Sequence, residues 1–155
     1  MDEKIVGVFP IDIRGAWLCC FYDMYFTNKR IVAHFVGRGL YSRATSKFLI
    51  PIVMGGLLDL LVIRPLMKND QVGPFSDAEQ ILKADRRNFT WNYQTDIRSI
   101  ELKAHLTGFS PPGMVIVLKQ GKEEKCFIRK RDFNDIRSLL QELADDKLIT
   151  QKNRG

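Results

Sequence analysis

Residues 17–26 read WLCCFYDMYF, and this run constrains the fold more than any other part of the chain. Together with residues 30–36 (RIVAHFV), across the turn chemistry of Thr27-Asn28-Lys29, it reads as a β-hairpin. Successive side chains of a strand alternate between its two faces. Leu18, Cys20, Tyr22, Met24 and Phe26 therefore line one face without a charge, while Trp17, Cys19, Phe21 and Tyr25 line the other, interrupted only by Asp23. A half-solvated antiparallel strand alternates apolar with polar, and this one does not. Its second face must be covered by another part of the chain, a partner or lipid.

The chain supplies one conspicuous candidate for that cover. After the polar and basic residues 38–47 comes the most hydrophobic stretch of the protein, residues 48–67 (FLIPIVMGGLLDLLVIRPLM). A membrane-spanning helix needs about 20 predominantly apolar residues. Asp59 and Arg64 would each cost roughly 2.5–3.5 kcal/mol at the bilayer centre. Pro51 and Pro65 bracket the segment, and Gly55-Gly56 lowers helix propensity further. A conventional single span is disfavoured, and two readings stay open. In one, the stretch is a helix buried across the apolar face of the hairpin. In the other, it is a monotopic anchor dipping into the membrane interface beside Arg38, Arg43 and Lys47.

The remaining elements follow from pattern. Ile5, Val6, Val8 and Phe9 form a first strand closed by Pro10. Ser76-Asp77-Ala78-Glu79 has capping-box spacing and starts a short helix through about Arg87, with Ala78, Ile81 and Leu82 on its apolar side. Phe89, Trp91 and Tyr93 alternate with polar residues in a strand and line the core. Residues 97–104 and 114–119 give two more, and the polar turn Lys119–Lys122 joins the latter to residues 124–129. Asp132 caps a final helix whose Ile136, Leu139, Leu140 and Leu143 fall at i, i+3, i+4 and i+7. The last residues, ITQKNRG, are expected to fray.

The tally predicts a mainly β domain of seven antiparallel strands, closed as a barrel by a C-terminal helix, with a helical apolar insertion at about 38–88. The domain spans residues 1–150, and 151–155 form a frayed tail. A chain of 155 residues is one domain by size and can bury roughly 70% of its unfolded surface. The motifs Tyr25-Phe26-Thr27-Asn28-Lys29-Arg30-Ile31-Val32 and Tyr93-Gln94-Thr95-Asp96-Ile97-Arg98-Ser99-Ile100 carry a resemblance. The first is similar to a "tyrosine, apolar, threonine, x, x, arginine, apolar" hairpin, the second to a bend into an "I-x-x-I" strand. In these, residues 1–37 and 89–147 resemble the pleckstrin-homology superfold, specifically bacterial pleckstrin-homology and GRAM-like domains. The insertion of about fifty residues departs from that pattern. The spaced basic signature of phosphoinositide-binding relatives has no recognisable copy here.

Charge and chemistry narrow the function. The net charge is +6, with 7 basic and 4 acidic residues in 1–47, 5 and 5 in 48–88, and 12 and 9 in 89–155. That mild excess favours anionic partners without forming a nucleic-acid tail, so nucleic acid is disfavoured. Lys29, Arg30, Arg38, Arg43 and Lys47 are the candidate contacts to an anion or lipid head group. Thr27 and Arg30 also have a purely structural reading, as a turn hydroxyl and a rim cation. Lys122, Lys125, Arg129, Lys130 and Arg131 are diluted by Glu123, Glu124 and Asp132 and read as an ordinary polar hairpin. Phe48, Leu49, Ile50, Leu57, Leu58, Leu60 and Leu61 form the candidate apolar contact segment.

His34 and His105 are isolated, no C-x-x-C pair exists, and phosphate loops and nucleophile elbows are missing. Cys19 and Cys20 would point to opposite faces, and with Cys126 they read as small buried hydrophobes of a reducing compartment. The sequence thus predicts a non-catalytic, cofactor-free binding module in the cytoplasm, associating peripherally with anionic lipid at the inner membrane face. The alternative is a protein-interaction or homo-oligomeric scaffold in which the apolar insertion is buried.

Overall fold

A computed structural model describes residues 2–14, 19–39, 75, 77–104, 111–143 and 149–151. Eight strands form one sheet: β1 (Ile5–Arg14), β2 (Cys19–Thr27), β3 (Arg30–Gly39), β4 (Phe89–Asn92), β5 (Ile97–Lys103), β6 (Gly113–Leu118), β7 (Glu123–Ile128) and β8 (Ile149–Gln151). Among the described residues two helices accompany them, α1 (Ala78–Ala84) and α2 (Phe133–Leu143). The hydrogen-bonded order is β4-β3-β2-β1-β7-β6-β5-β8, antiparallel throughout except for the β5–β8 pair. The seven expected strands and the C-terminal helix are present.

The expected closed barrel is not. Among the described residues, β4 and β8 are the two ends of the sheet and do not pair. Closure would require β4 to meet β5, but Ile100–Leu102 of β5 already pair with Ile149–Gln151 on that edge. The same pairing corrects the expectation that the chain frays from Ile149: residues 149–151 are a strand.

The hairpin is the centre of the sheet. Tyr22, Met24 and Phe26 of β2 join Ile11, Ile31, Phe35, Ile100, Ile116 and Ile128 in the main core. Ile136 and Leu140 of α2 are fully buried in it, with Leu139 and Leu143 packed alongside. The opposite face of the hairpin is buried too. Tyr25 and Val32 form a second cluster with Ala78 and Ile81 of α1, and Ile5, Phe75 and Leu82 pack against it. The apolar outer face is thus covered in part by the short helix that follows the hydrophobic stretch. The stretch itself, residues 48–67, lies outside the described residues. Cys20 packs against the main core while Cys19 is buried on the other face, and all three cysteines are free thiols.

Two boundaries differ from expectation. β1 continues through Pro10, which stands opposite Asp23. Pairing with β7 begins only at Ile11, so at Pro10 the strand has a single neighbour and tolerates a residue with no N–H. The N-cap of α1 is Asp77, whose side chain accepts from the Glu79 amide at 3.0 Å. The Glu79 carboxylate goes to Arg30 at 2.5 Å, and Ser76 lies outside the described residues. The helix ends at Ala84, short of Arg87, because Asp85 is extended and its carboxylate accepts from the Arg87 amide and guanidinium.

Candidate functional site

The five candidate basic residues do not form one constellation. Lys29 sits in the β2–β3 turn, and Arg38 lies eight residues further along β3 than Arg30. At about 3.3 Å per residue, the two arginines are roughly 25 Å apart along the strand. Arg43 and Lys47 lie outside the described residues, as do Phe48, Leu49, Ile50, Leu57, Leu58, Leu60 and Leu61.

At the turn end, Arg30 is already committed. Its Nε donates to Glu3 at 2.8 Å and its Nη2 to the other Glu3 oxygen at 2.7 Å, while the same Nη2 meets Glu79 at 2.5 Å. The side chain is only 18% exposed. The Glu3 carboxyl is held below its ordinary range chiefly by the Arg30 hydrogen bonds, against the opposing effect of burial. Thr27 is fully buried, and its hydroxyl donates toward Glu3 while accepting from the Lys29 and Arg30 amides. Asn28 ties the N-terminal segment to the same turn through the Lys4 amide and the Asp2 carbonyl. Arg30 is therefore a clamp joining the N-terminal segment, the turn and α1, with its guanidinium facing the Glu3 and Glu79 carboxylates. Lys29 remains exposed beside it.

The other end of β3 is different. Arg38 is exposed, opposite Cys20 of β2, and its guanidinium carbon lies 5.9 Å from the centroid of the Phe35 ring. Arg87 comes to the same ring at 3.9 Å. Phe35 in turn meets Tyr22 edge-on at 5.5 Å, Tyr22 meets Phe89 at 5.1 Å, and Phe89 meets Trp91 at 4.5 Å. Such a row of rings is a rigid, low-entropy platform, and cations over its face are attracted by the ring quadrupole. Burial raises the Tyr22 hydroxyl above the usual phenol range; Cys20 and Glu124 add to this, and Arg38 and Arg87 oppose it.

The two cations are not equivalent. Arg87 is paired with Asp85 through Nε at 2.9 Å and Nη2 at 2.5 Å, which holds the Asp85 carboxyl down to about 2. Arg38 has no carboxylate partner among the described residues. It is oriented by a ring and, among the described residues, left without a compensating carboxylate, which is what a receiving group for an oxyanion requires. Sequence reading selected Arg38 but missed Arg87, whose signal was the dense polar junction Asp85-Arg86-Arg87-Asn88 between a helix and a strand.

The second basic group is locally neutralised at Lys122 by Glu124 (2.5 Å) and at Arg131 by Asp132 (3.3 Å). Among the described residues, no group of three or more His, Cys, Asp or Glu side chains could hold a metal ion, and no helix is long and apolar enough to cross a membrane. Comparison with known protein families, characterised proteins and solved structures finds no match to this chain.

Proposed function

We propose that the chain is a pleckstrin-homology-like binding module, without catalytic activity, that associates with anionic lipid surfaces through the Arg38 end of its central hairpin. Support for the fold part of this reading is the strand order β4-β3-β2-β1-β7-β6-β5 with a C-terminal helix against β1. The observation that carries the functional part is Arg38: exposed, oriented over Phe35, and without a neutralising carboxylate among the described residues. In sequence it lies ten residues before the apolar stretch that begins at Phe48. A basic group next to an apolar segment is the pairing by which peripheral proteins combine head-group attraction with burial at the interface.

The test is flotation of the purified full chain with neutral and with phosphatidylserine-containing liposomes at low and high salt. The reading requires salt-sensitive flotation on the anionic vesicles, reduced several-fold in Arg38→Ala; a juxtamembrane Lys or Arg contributes about 1 kcal/mol to such binding. Arg30→Met is the contrasting variant, since its guanidinium faces Glu3 and Glu79. Flotation that is absent, or equal in wild type and Arg38→Ala, would overturn the reading and favour a protein partner.

A further inference from the structure

His34 lies in β3 on the face of the hairpin that α1 covers, and it is 8% exposed. Its imidazole meets the Phe75 ring edge-on at 5.1 Å. The same Phe75 ring meets Tyr25 at 6.1 Å, and the Phe75 backbone hydrogen-bonds the Tyr25 hydroxyl. Phe75 packs against the cluster of Tyr25, Val32, Ala78 and Ile81 that seats α1 on the sheet. The ionisable imidazole of His34 therefore sits under the aromatic ring that leads into the helix.

Among the described residues, the charged groups that act on His34 are Asp23 and Asp85. Asp23 stands directly across the β2–β3 pair, and Asp85 follows α1. Both attract an imidazolium, but Asp85 is held bidentately by Arg87, which offsets its field. Loss of water outweighs the two carboxylates, so the imidazole is held below its ordinary value of 6.5. A docked Phe75 and α1 thus favour the neutral ring, and an undocked cover admits water and favours the charged one.

We propose that His34 is an acid-operated latch: protonation of its imidazole releases Phe75 and α1 from the β2–β3 face and uncovers the apolar surface around Tyr25 and Val32. The sign follows from linkage. Above pH 6.5 the ring is neutral whether or not α1 is docked, and docking is at full strength. As pH falls below 6.5 the undocked form takes up the proton first, and docking weakens until the docked form is also protonated.

Amide hydrogen exchange of the full chain between pH 7.5 and 5.0, corrected for intrinsic rates, reads this directly. Protection of the α1 amides at Ile81–Ala84 is expected to fall several-fold while that of Ile116 in β6 stays constant. His34→Phe, which cannot take up a proton, keeps α1 protection flat across the same range; His34→Gln serves the same purpose if the phenylalanine variant does not fold. An α1 protection that is independent of pH in the wild type, or that falls equally in the variants, would overturn the latch.

Discussion

Tyr93 places an unsatisfied polar group in the core. Its ring belongs to the main core, but its hydroxyl is buried and has no hydrogen-bond partner among the described residues. Burial alone drives the phenol well above its usual range. An unpaired buried hydroxyl carries a desolvation penalty of about 1–3 kcal/mol that the ring does not need. Tyr93→Phe is therefore expected to be neutral or stabilising by up to about 1 kcal/mol, read as an unchanged or raised urea midpoint with an unchanged slope. A loss of stability would mean that the hydroxyl has a bound water. Arg30 is the opposite case. Its turn was legible in the sequence, because Thr27 and Asn28 are turn formers whatever surrounds them. Its partners were not, since Glu3 and Glu79 lie 27 and 49 residues away and only the tertiary fold brings them together.

At the scale of elements, the sequence required a cover for the outer face of the hairpin without saying which segment supplies it. Apolar burial is non-directional, so any apolar surface satisfies the requirement. The structure assigns part of that cover to α1, seven residues long and too short to hold its own shape in water. What fixes α1 is its attachment. Asn88 donates from Nδ2 to the Ile81 carbonyl at 2.6 Å, a group the end of the helix leaves without an intrahelical partner, and its Oδ1 accepts from the Phe35 amide at 2.7 Å. One side chain thus joins the helix end to β3. Asn88→Ala strands both backbone groups in a part-buried site, with an expected loss of about 1–3 kcal/mol. Denaturant unfolding checks the magnitude, and hydrogen exchange locates the loss: the Phe35 amide and α1 should lose protection before β5 and β6 do. Nothing in the sequence marks Asn88 for this role, because its partners lie 7 and 53 residues away.

At the scale of the whole molecule, the sheet has two ends and handles them differently. The sequence made seven strands legible, since their periodicity or apolar runs exceed what turns contain. It gave no sign of the eighth, because Ile149-Thr150-Gln151 is too short to show a period and only one of its residues is apolar. β8 nevertheless decides the architecture: it pairs in parallel with Ile100–Leu102 and takes the edge through which the sheet could otherwise close or recruit another strand. The inner side of β5 is apolar, with Ile97, Ile100 and Leu102 buried, so an uncovered β5 edge would be a template for intermolecular pairing. Proline at position 150 removes a backbone donor and conflicts with continuation of a paired strand. Thr150→Pro is therefore expected to deprotect the amides of Ile100–Leu102 and to shift the chain from its wild-type mass toward dimers and larger species as concentration rises, measured by hydrogen exchange and sedimentation velocity on one sample. Deprotection without association would mean that the charged neighbours Arg98, Glu101 and Lys103 guard the edge on their own. Unchanged protection would mean that β5 does not depend on β8 at all.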